Sequence, residues 1–447
     1  MSRPRLERGF HGAVSGIDRT PMERFASRVA APALIPYAWW AMESARAMGI
    51  DRLYFLSRDG YFPLKIAEIL RKRLGLGIGL TYLYGSRRSL YAALAHEDEA
   101  EGLAFFSRRS AFTSAAVILG RFRLADGARE SILKRGGIAD ADAPLSEGDS
   151  RRFAEFLSGD GEYLAGLRAA AGEAHRAALG YLRQEGLLSG GRFGIADSGW
   201  AGSLQRAIGR LTGRGGADSG PVGFYVGLNR PAPPDARAFL FDGEGPASGG
   251  ARFNLLAYEA LACAPHSMIS GYRELGGRYG PAFAPAPFEE GHLRFARELE
   301  GPLIACAEAF AGSIGPGAYD EAALRALARR ALTRWFSRPA REEAELMRAI
   351  RISDDSGNGY SLPLIEGDRP DLLRRETFAR AAIRKLPAVF GNSRGGAVER
   401  LVWPQGSFAA SSIARSRLVG ASLRTARFAR AALAFARTLR GRGGRVP

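Results

Sequence analysis

Asp59 lies in Ser57-Arg58-Asp59-Gly60, and Asp197 opens the run Asp197-Ser198-Gly199-Trp200-Ala201-Gly202-Ser203-Leu204-Gln205. A carboxylate among small polar residues can act as base, accept from sugar hydroxyls or bind a divalent cation through oxygen. A third cluster, Ser86-Arg87-Arg88-Ser89, adds cationic side chains. Arg58, Arg87 and Arg88 are suited to charge-assisted, bidentate hydrogen bonds with phosphate or carboxylate oxygens. Gly199 and Gly202 let backbone approach a ligand closely, while Ser198 and Ser203 offer hydroxyls. The expected catalytic pair is Asp59 and Asp197. Ser57, Arg58, Gly60, Ser86, Arg87, Arg88, Ser198, Gly199, Trp200, Gly202, Ser203 and Gln205 are the expected substrate-binding set.

Each cluster also has a plain architectural reading. Asp59-Gly60 is a common turn dipeptide, Ser86 is a good helix N-cap, and Trp200 can be a packing residue beside a tight turn. Glu259, His266, Ser267 and Tyr272 form a weaker group, in which His266 could serve as acid or base or could simply cap a helix end. Asp354 and Asp355 read as an acidic turn. The two cysteines, Cys263 and Cys306, and the five histidines show no metal-ligand spacing, so both thiols are expected to be buried apolar residues.

The elements that must hold these clusters follow from periodicity. Leu53 to Leu56 is a short apolar run, and Lys65 to Leu74 repeats apolar residues at helical spacing, which makes one strand, turn and helix. Leu80 to Tyr84 predicts a second strand ending at Ser86. Residues 90 to 190 read as a helical insertion. The pattern resumes with a strand at Arg192 to Ala196, a helix through Leu204, Ile208 and Leu211, a strand at Val222 to Leu228 and another at Ala238 to Phe241. Alternating strands and helices imply an α/β fold with a mainly parallel, Rossmann-like sheet covered by helices on both faces. Residues 1 to 30 are expected to form a loosely attached arm and 31 to 250 the α/β core. Residues 251 to 400 are expected to be mostly helical, with a Pro-rich loop at Gly280 to Pro287, and 401 to 447 to be a basic tail.

The formal charge of +17 points towards anionic partners, but the tail holds nine arginines between Arg415 and Arg445 and no acidic residue from Ser411 onward. A basic helix of this kind reads as a solvated helix end or as a contact for an anionic membrane surface, with nucleic acid a weaker match because aromatics are not interleaved. No stretch reaches the roughly 18 apolar residues that span a bilayer; Val29 to Met42, with two prolines, reads as a core helix. The first thirty residues lack the apolar segment of a secretory signal, so a cytoplasmic location, peripheral to the inner membrane, is expected.

Through Leu53 to Gly60, Tyr82 to Leu90 and Ile195 to Gln205, the sequence resembles an uncharacterised family of bacterial proteins linked with surface-polysaccharide clusters. The shared pattern is Arg-Asp-Gly, Ser-Arg-Arg and Asp-x-Gly-Trp-x-Gly-Ser-x-Gln, over about residues 30 to 290. In larger members this region follows a haloacid-dehalogenase-like hydrolase domain, which is expected to be missing here. The Asp-x-Asp pair of that superfamily is also missing, since Gly60-Tyr61 follow Asp59. A fainter similarity is to purine and pyrimidine phosphoribosyltransferases, which place a basic residue and a strand-Asp-loop-helix in the same order. Their acidic pair is reduced here to Ala196-Asp197 and their Thr-Gly-Gly-Thr to Trp-Ala-Gly-Ser, so this likeness implies a phosphate-sugar pocket more than ribosyl transfer. Together the resemblances imply an enzyme of surface-polysaccharide assembly acting on a phosphorylated or nucleotide-activated sugar. The alternative they leave open is a non-catalytic scaffold of the same machinery.

Overall fold

The computed structural model describes residues 3–107, 113–213, 220–228, 233, 235–243, 253–285, 289–315, 317–352, 361–366 and 402–410. Five strands form one parallel sheet: β1 (Arg52–Leu56), β2 (Gly79–Leu83), β3 (Phe193–Trp200), β4 (Val222–Leu228) and β5 (Ala236–Phe241), in the order β2-β1-β3-β4-β5. The inner strands β1, β3 and β4 are largely buried, which is why they read as nearly continuous apolar runs, whereas β2 at one edge is mostly half-buried and β5 at the other is buried only over its second half.

One face packs on the helix Ala31–Ala47, whose Leu34, Tyr37, Trp40 and Met42 are buried despite Pro36 within it. The Tyr37 hydroxyl lies 2.9 Å from the Asp197 carbonyl and 2.8 Å from that of Phe224, sharing one proton between β3 and β4. The helix Tyr61–Leu74 covers the same face with Phe62, Ile66 and Leu70, and ends at Gly75 with φ +64°, a conformation that favours glycine. On the other face, the helices Arg87–Leu94, Gly161–Gln184 and Ser203–Leu211 bury Leu90, Tyr181, Leu182 and Ile208 against Tyr54, Leu56 and Ile195. The segment between β2 and β3 is helical, as expected, and has a small core of its own around Ile118, Ile132, Phe153 and Tyr163.

Three features differ from the sequence-based expectation. The N-terminal residues are not a loose arm: the helix Arg3–Val14 buries Leu6, Phe10 and Val14, and Phe10 meets Phe310 at 5.2 Å. Spacing of four places these three on one helical face, and the surrounding arginines and glycines hide the stripe. The region after Asn254 is not continuously helical, because β6 (Ile269–Leu275) and β7 (Arg278–Phe283) form an antiparallel hairpin that includes the first part of the expected Pro-rich loop. Its turn, Gly276-Gly277, has φ of +58° and +77°, the pair of signs that the tightest hairpins require. Finally, β3 continues through Asp197, Ser198, Gly199 and Trp200, which pair with β4 rather than forming a loop. The basic tail from 411 to 447 and the turn at Asp354 and Asp355 lie outside the described residues. No helix among the described residues is long and apolar enough to cross a membrane.

Candidate functional site

The chain enters the sheet at β1, adds β2 on one side and then crosses to β3 on the other. The connections leaving β1 and β3 therefore diverge, and the space outside the carboxyl ends of those two strands is where open parallel sheets usually form a ligand crevice. Phe55 pairs with Ala196 in this register, so the residues following each are neighbours across the crevice. Asp59 and Asp197, far apart in sequence, meet there.

The turn that carries Asp59 is tightly built. Gly60 donates its N–H to the Leu56 carbonyl at 2.7 Å, and a Cβ there would lie 2.6 Å from the same oxygen, so only glycine fits. The Ser57-Arg58 peptide bond is cis. Ser57 Oγ donates to the Gly85 carbonyl at 2.8 Å and accepts from the Gly85 N–H at 2.9 Å, tying the end of β1 to the end of β2. Asp59 is half-buried, and Ser198 lies near enough to favour its ionised form. Burial first and the Glu259 charge second push its pKa up to about 7, against the pull of Ser198 and Arg58. Burial, then the charge of Asp59, raises Asp197 well above the usual carboxylate range.

Glu259 completes the group from the helix Leu255–Ala262. Its carboxylate accepts from the Trp200 indole N–H at 2.6 Å, and burial raises its pKa against the opposing effects of Trp200, Arg87 and Arg58. Trp200 has φ +77°, a left-handed conformation rarely adopted by a bulky residue, between Gly199 at φ +113° and Gly202 at φ +61°. Its ring lies nearly parallel to Phe241, 6.1 Å away, and beside Phe253 and Tyr258. This packing and the bond to Glu259 offset the unfavourable backbone, a pattern common at functional sites. Tyr258 is buried, has no hydrogen-bond partner for its hydroxyl among the described residues, and feels the charges of Asp59 and Asp197.

The arginines divide. Arg87 is exposed at the start of its helix, and its charge acts on Asp197 and Glu259, which places it on the crevice side. Arg58 acts on Asp59 and Glu259 and is ion-paired with Glu289 at 2.5 Å. Arg88 is a correction to the expected site: it donates to the Arg121 carbonyl and lines a separate cleft of about 400 Å³ with Phe122, Arg123 and Arg129 in the helical insertion. Gln205 is a second correction. It is buried, donates to the Pro221 carbonyl at 2.7 Å and accepts from the Tyr225 hydroxyl at 2.9 Å, so its amide joins the helix to β4. Ser86 and Ser57 are likewise engaged by the fold: Ser86 caps its helix through the Ser89 N–H and donates to the Ile269 carbonyl at 2.6 Å. Ser203 is half-buried at the first position of its helix.

Glu259 was the weakest signal in the sequence, a single acid within Leu-Leu-Ala-Tyr-Glu-Ala-Leu-Ala, where an ionisable residue on an otherwise apolar helix is the only clue. Cys263 is close to the crevice, but burial pushes its thiol up to about 12, so it is neutral and a poor nucleophile. Among the described residues, no group of three or more His, Cys, Asp or Glu side chains is disposed to hold a metal ion. The mutual repulsion of the carboxylates favours their protonated forms, which adds to the effect of burial. No family model matches the chain, and no curated protein matches it.

Proposed function

We propose that the protein is an enzyme of bacterial surface-polysaccharide assembly that acts on a phosphorylated or nucleotide-activated sugar in the crevice between β1 and β3. The observation that carries this reading is Asp59. It is a half-buried carboxyl pushed up to about 7, at the point where the sheet order reverses, with Asp197, Glu259, Arg58 and Arg87 around it. A group with that pKa is divided between acid and base near neutrality, which is the optimum for proton transfer. In the proposed reaction an acceptor hydroxyl attacks the sugar carbon and passes its proton to Asp59. The bond from that carbon to the phosphate oxygen breaks, and the phosphate leaves with its electron pair. Arg87 and Arg58 stabilise the charge that develops on it. Asp197 and Glu259 accept from sugar hydroxyls, and the Tyr258 hydroxyl is a donor within the same pocket.

The test is release of phosphate or nucleoside diphosphate from a panel of activated sugars by wild type, Asp59→Asn and Arg87→Ala. Loss of general base catalysis lowers turnover by about 100-fold or more, whereas loss of a phosphate contact raises KM as well. Turnover that is unchanged in Asp59→Asn contradicts the assignment.

A further inference from the structure

We propose that Tyr82, Tyr84, His266 and Phe283 form a wall that stacks the base of a nucleotide-activated substrate whose phosphates reach the crevice arginines. The proposal rests on the phosphate-sugar reading above and narrows its substrate to a nucleoside diphosphate sugar. The four rings are contiguous: Tyr82 meets Tyr84 at 5.1 Å, Tyr84 meets His266 at 5.6 Å, and His266 meets Phe283 at 5.3 Å. Phe283, at the end of β7, is 44% exposed, while the other three are half-buried. An aromatic face left open to water beside a polar crevice is a stacking platform.

The wall adjoins the phosphate-binding arginines. Ser57, next to Arg58, is hydrogen-bonded to Gly85, next to Tyr84. His266 is close enough to Arg58 and Glu289 to feel both charges. Its hydrogen bonds also fix its chemistry. The Ser267 carbonyl can only accept, so the His266 Nδ1–H donates to it at 2.8 Å, and Nε2 accepts the Tyr82 O–H at 2.8 Å. Burial, with the Arg58 charge adding to it, keeps the imidazole below its ordinary pKa of 6.5 and hence neutral. Tyr82 and His266 therefore use their polar atoms on each other and on the backbone, and Phe283 is the ring of the four most open to water. A nucleobase offers a flat π face to such a wall and needs no hydrogen-bond partner on it, and the sugar-phosphate arm of the titration below separates it from a stacked pyranose.

The experiment is calorimetric titration of the full chain with inorganic pyrophosphate, uridine diphosphate, adenosine diphosphate and glucose phosphate, for wild type, Phe283→Ala and Phe283→Trp. Base stacking on an aromatic ring is worth about tenfold or more in affinity. The expected result is that both nucleoside diphosphates bind wild type at least about tenfold more tightly than pyrophosphate does. Phe283→Ala removes that advantage, Phe283→Trp keeps it, and pyrophosphate binds all three alike. Equal affinity for pyrophosphate and the nucleoside diphosphates, or an advantage that survives Phe283→Ala, overturns the wall and leaves the phosphate crevice standing. Glucose phosphate that loses the same factor in Phe283→Ala assigns the wall to a sugar ring and overturns the base. Failure of every phosphate compound to bind removes the crevice reading and the wall together.

Discussion

Burial and a neighbouring carboxylate move Asp59 from an ordinary value of 3.8 to about 7, while Ser198 and Arg58 limit the shift. If it is the proton acceptor, the activity of wild type rises with pH along a limb with an apparent pKa near 7, and Asp59→Asn abolishes that limb together with most of the rate. An identical pH profile in the variant contradicts the role. A second expectation concerns Trp200→Phe, which removes the indole N–H that Glu259 accepts at 2.6 Å. That bond lowers the pKa of Glu259, so the variant raises it, and the limb of activity that depends on ionised Glu259 moves to higher pH. Much of this was legible in the sequence, since Asp59 and Asp197 each follow an apolar run and stand beside glycine or serine. The direction in which a side chain turns was not. Arg87 and Arg88 are adjacent and chemically identical, yet the helix sends one to the crevice and the other to the insertion. Gln205, read as a ligand contact, faces the interior because Tyr225 and the Pro221 carbonyl satisfy it there.

The strand β3 is the element on which the site depends. Its last residues pair with β4 through Gly199 opposite Gly227 and Trp200 opposite Leu228. A Cβ at Gly199 would lie 2.3 Å from the Gly227 carbonyl, in addition to the strain of φ +113°. Gly199→Ala is therefore expected to destabilise the fold by about 3 kcal/mol, the sum of backbone strain and overpacking. Gly190→Ala is the control, because its φ of +90° is also left-handed but a Cβ there meets nothing within 4 Å. Its cost is about 1 to 2 kcal/mol. Urea denaturation midpoints that shift equally in the two variants contradict close strand packing at Gly199. At this scale, β1 and β4 were readable because buried parallel strands are short, apolar and bounded by turns, and β2, half-buried at the sheet edge, because Leu80 to Leu83 is still mostly apolar between glycines. The hairpin of β6 and β7 was not: only Ile269 of its strand residues is buried, so the apolar pattern is weak, and the Gly276-Gly277 pair is its one clear signal. The first helix was hidden for the opposite reason, with three buried residues diluted among polar ones.

Across the whole molecule, the sheet order brings residues from β1, β3 and the helix Leu255–Ala262 to one crevice, and the burial of three carboxyls there makes stability depend on pH. All three have folded-state pKa values raised above the unfolded ones. The neutral form is favoured by folding, so the contribution of Asp59 is fully present below its ordinary value of 3.8 and is lost as pH rises through about 7. Because a chain of charge +17 also repels itself more strongly in acid, the informative quantity is the difference between wild type and Asp59→Asn. Asp59→Asn becomes more stable relative to wild type as pH increases across that window, which thermal melts over a pH series measure. A constant difference contradicts the raised pKa. The most direct test of the composite site is carboxyl carbon NMR of aspartate-labelled protein, following Asp59 in wild type and in Glu259→Gln. The structure predicts titration near 7 in wild type and a lower midpoint in Glu259→Gln, where the second cause of the shift is gone. Titration near 3.8 in wild type, or a midpoint unmoved by Glu259→Gln, would contradict a shared carboxylate site at the crevice.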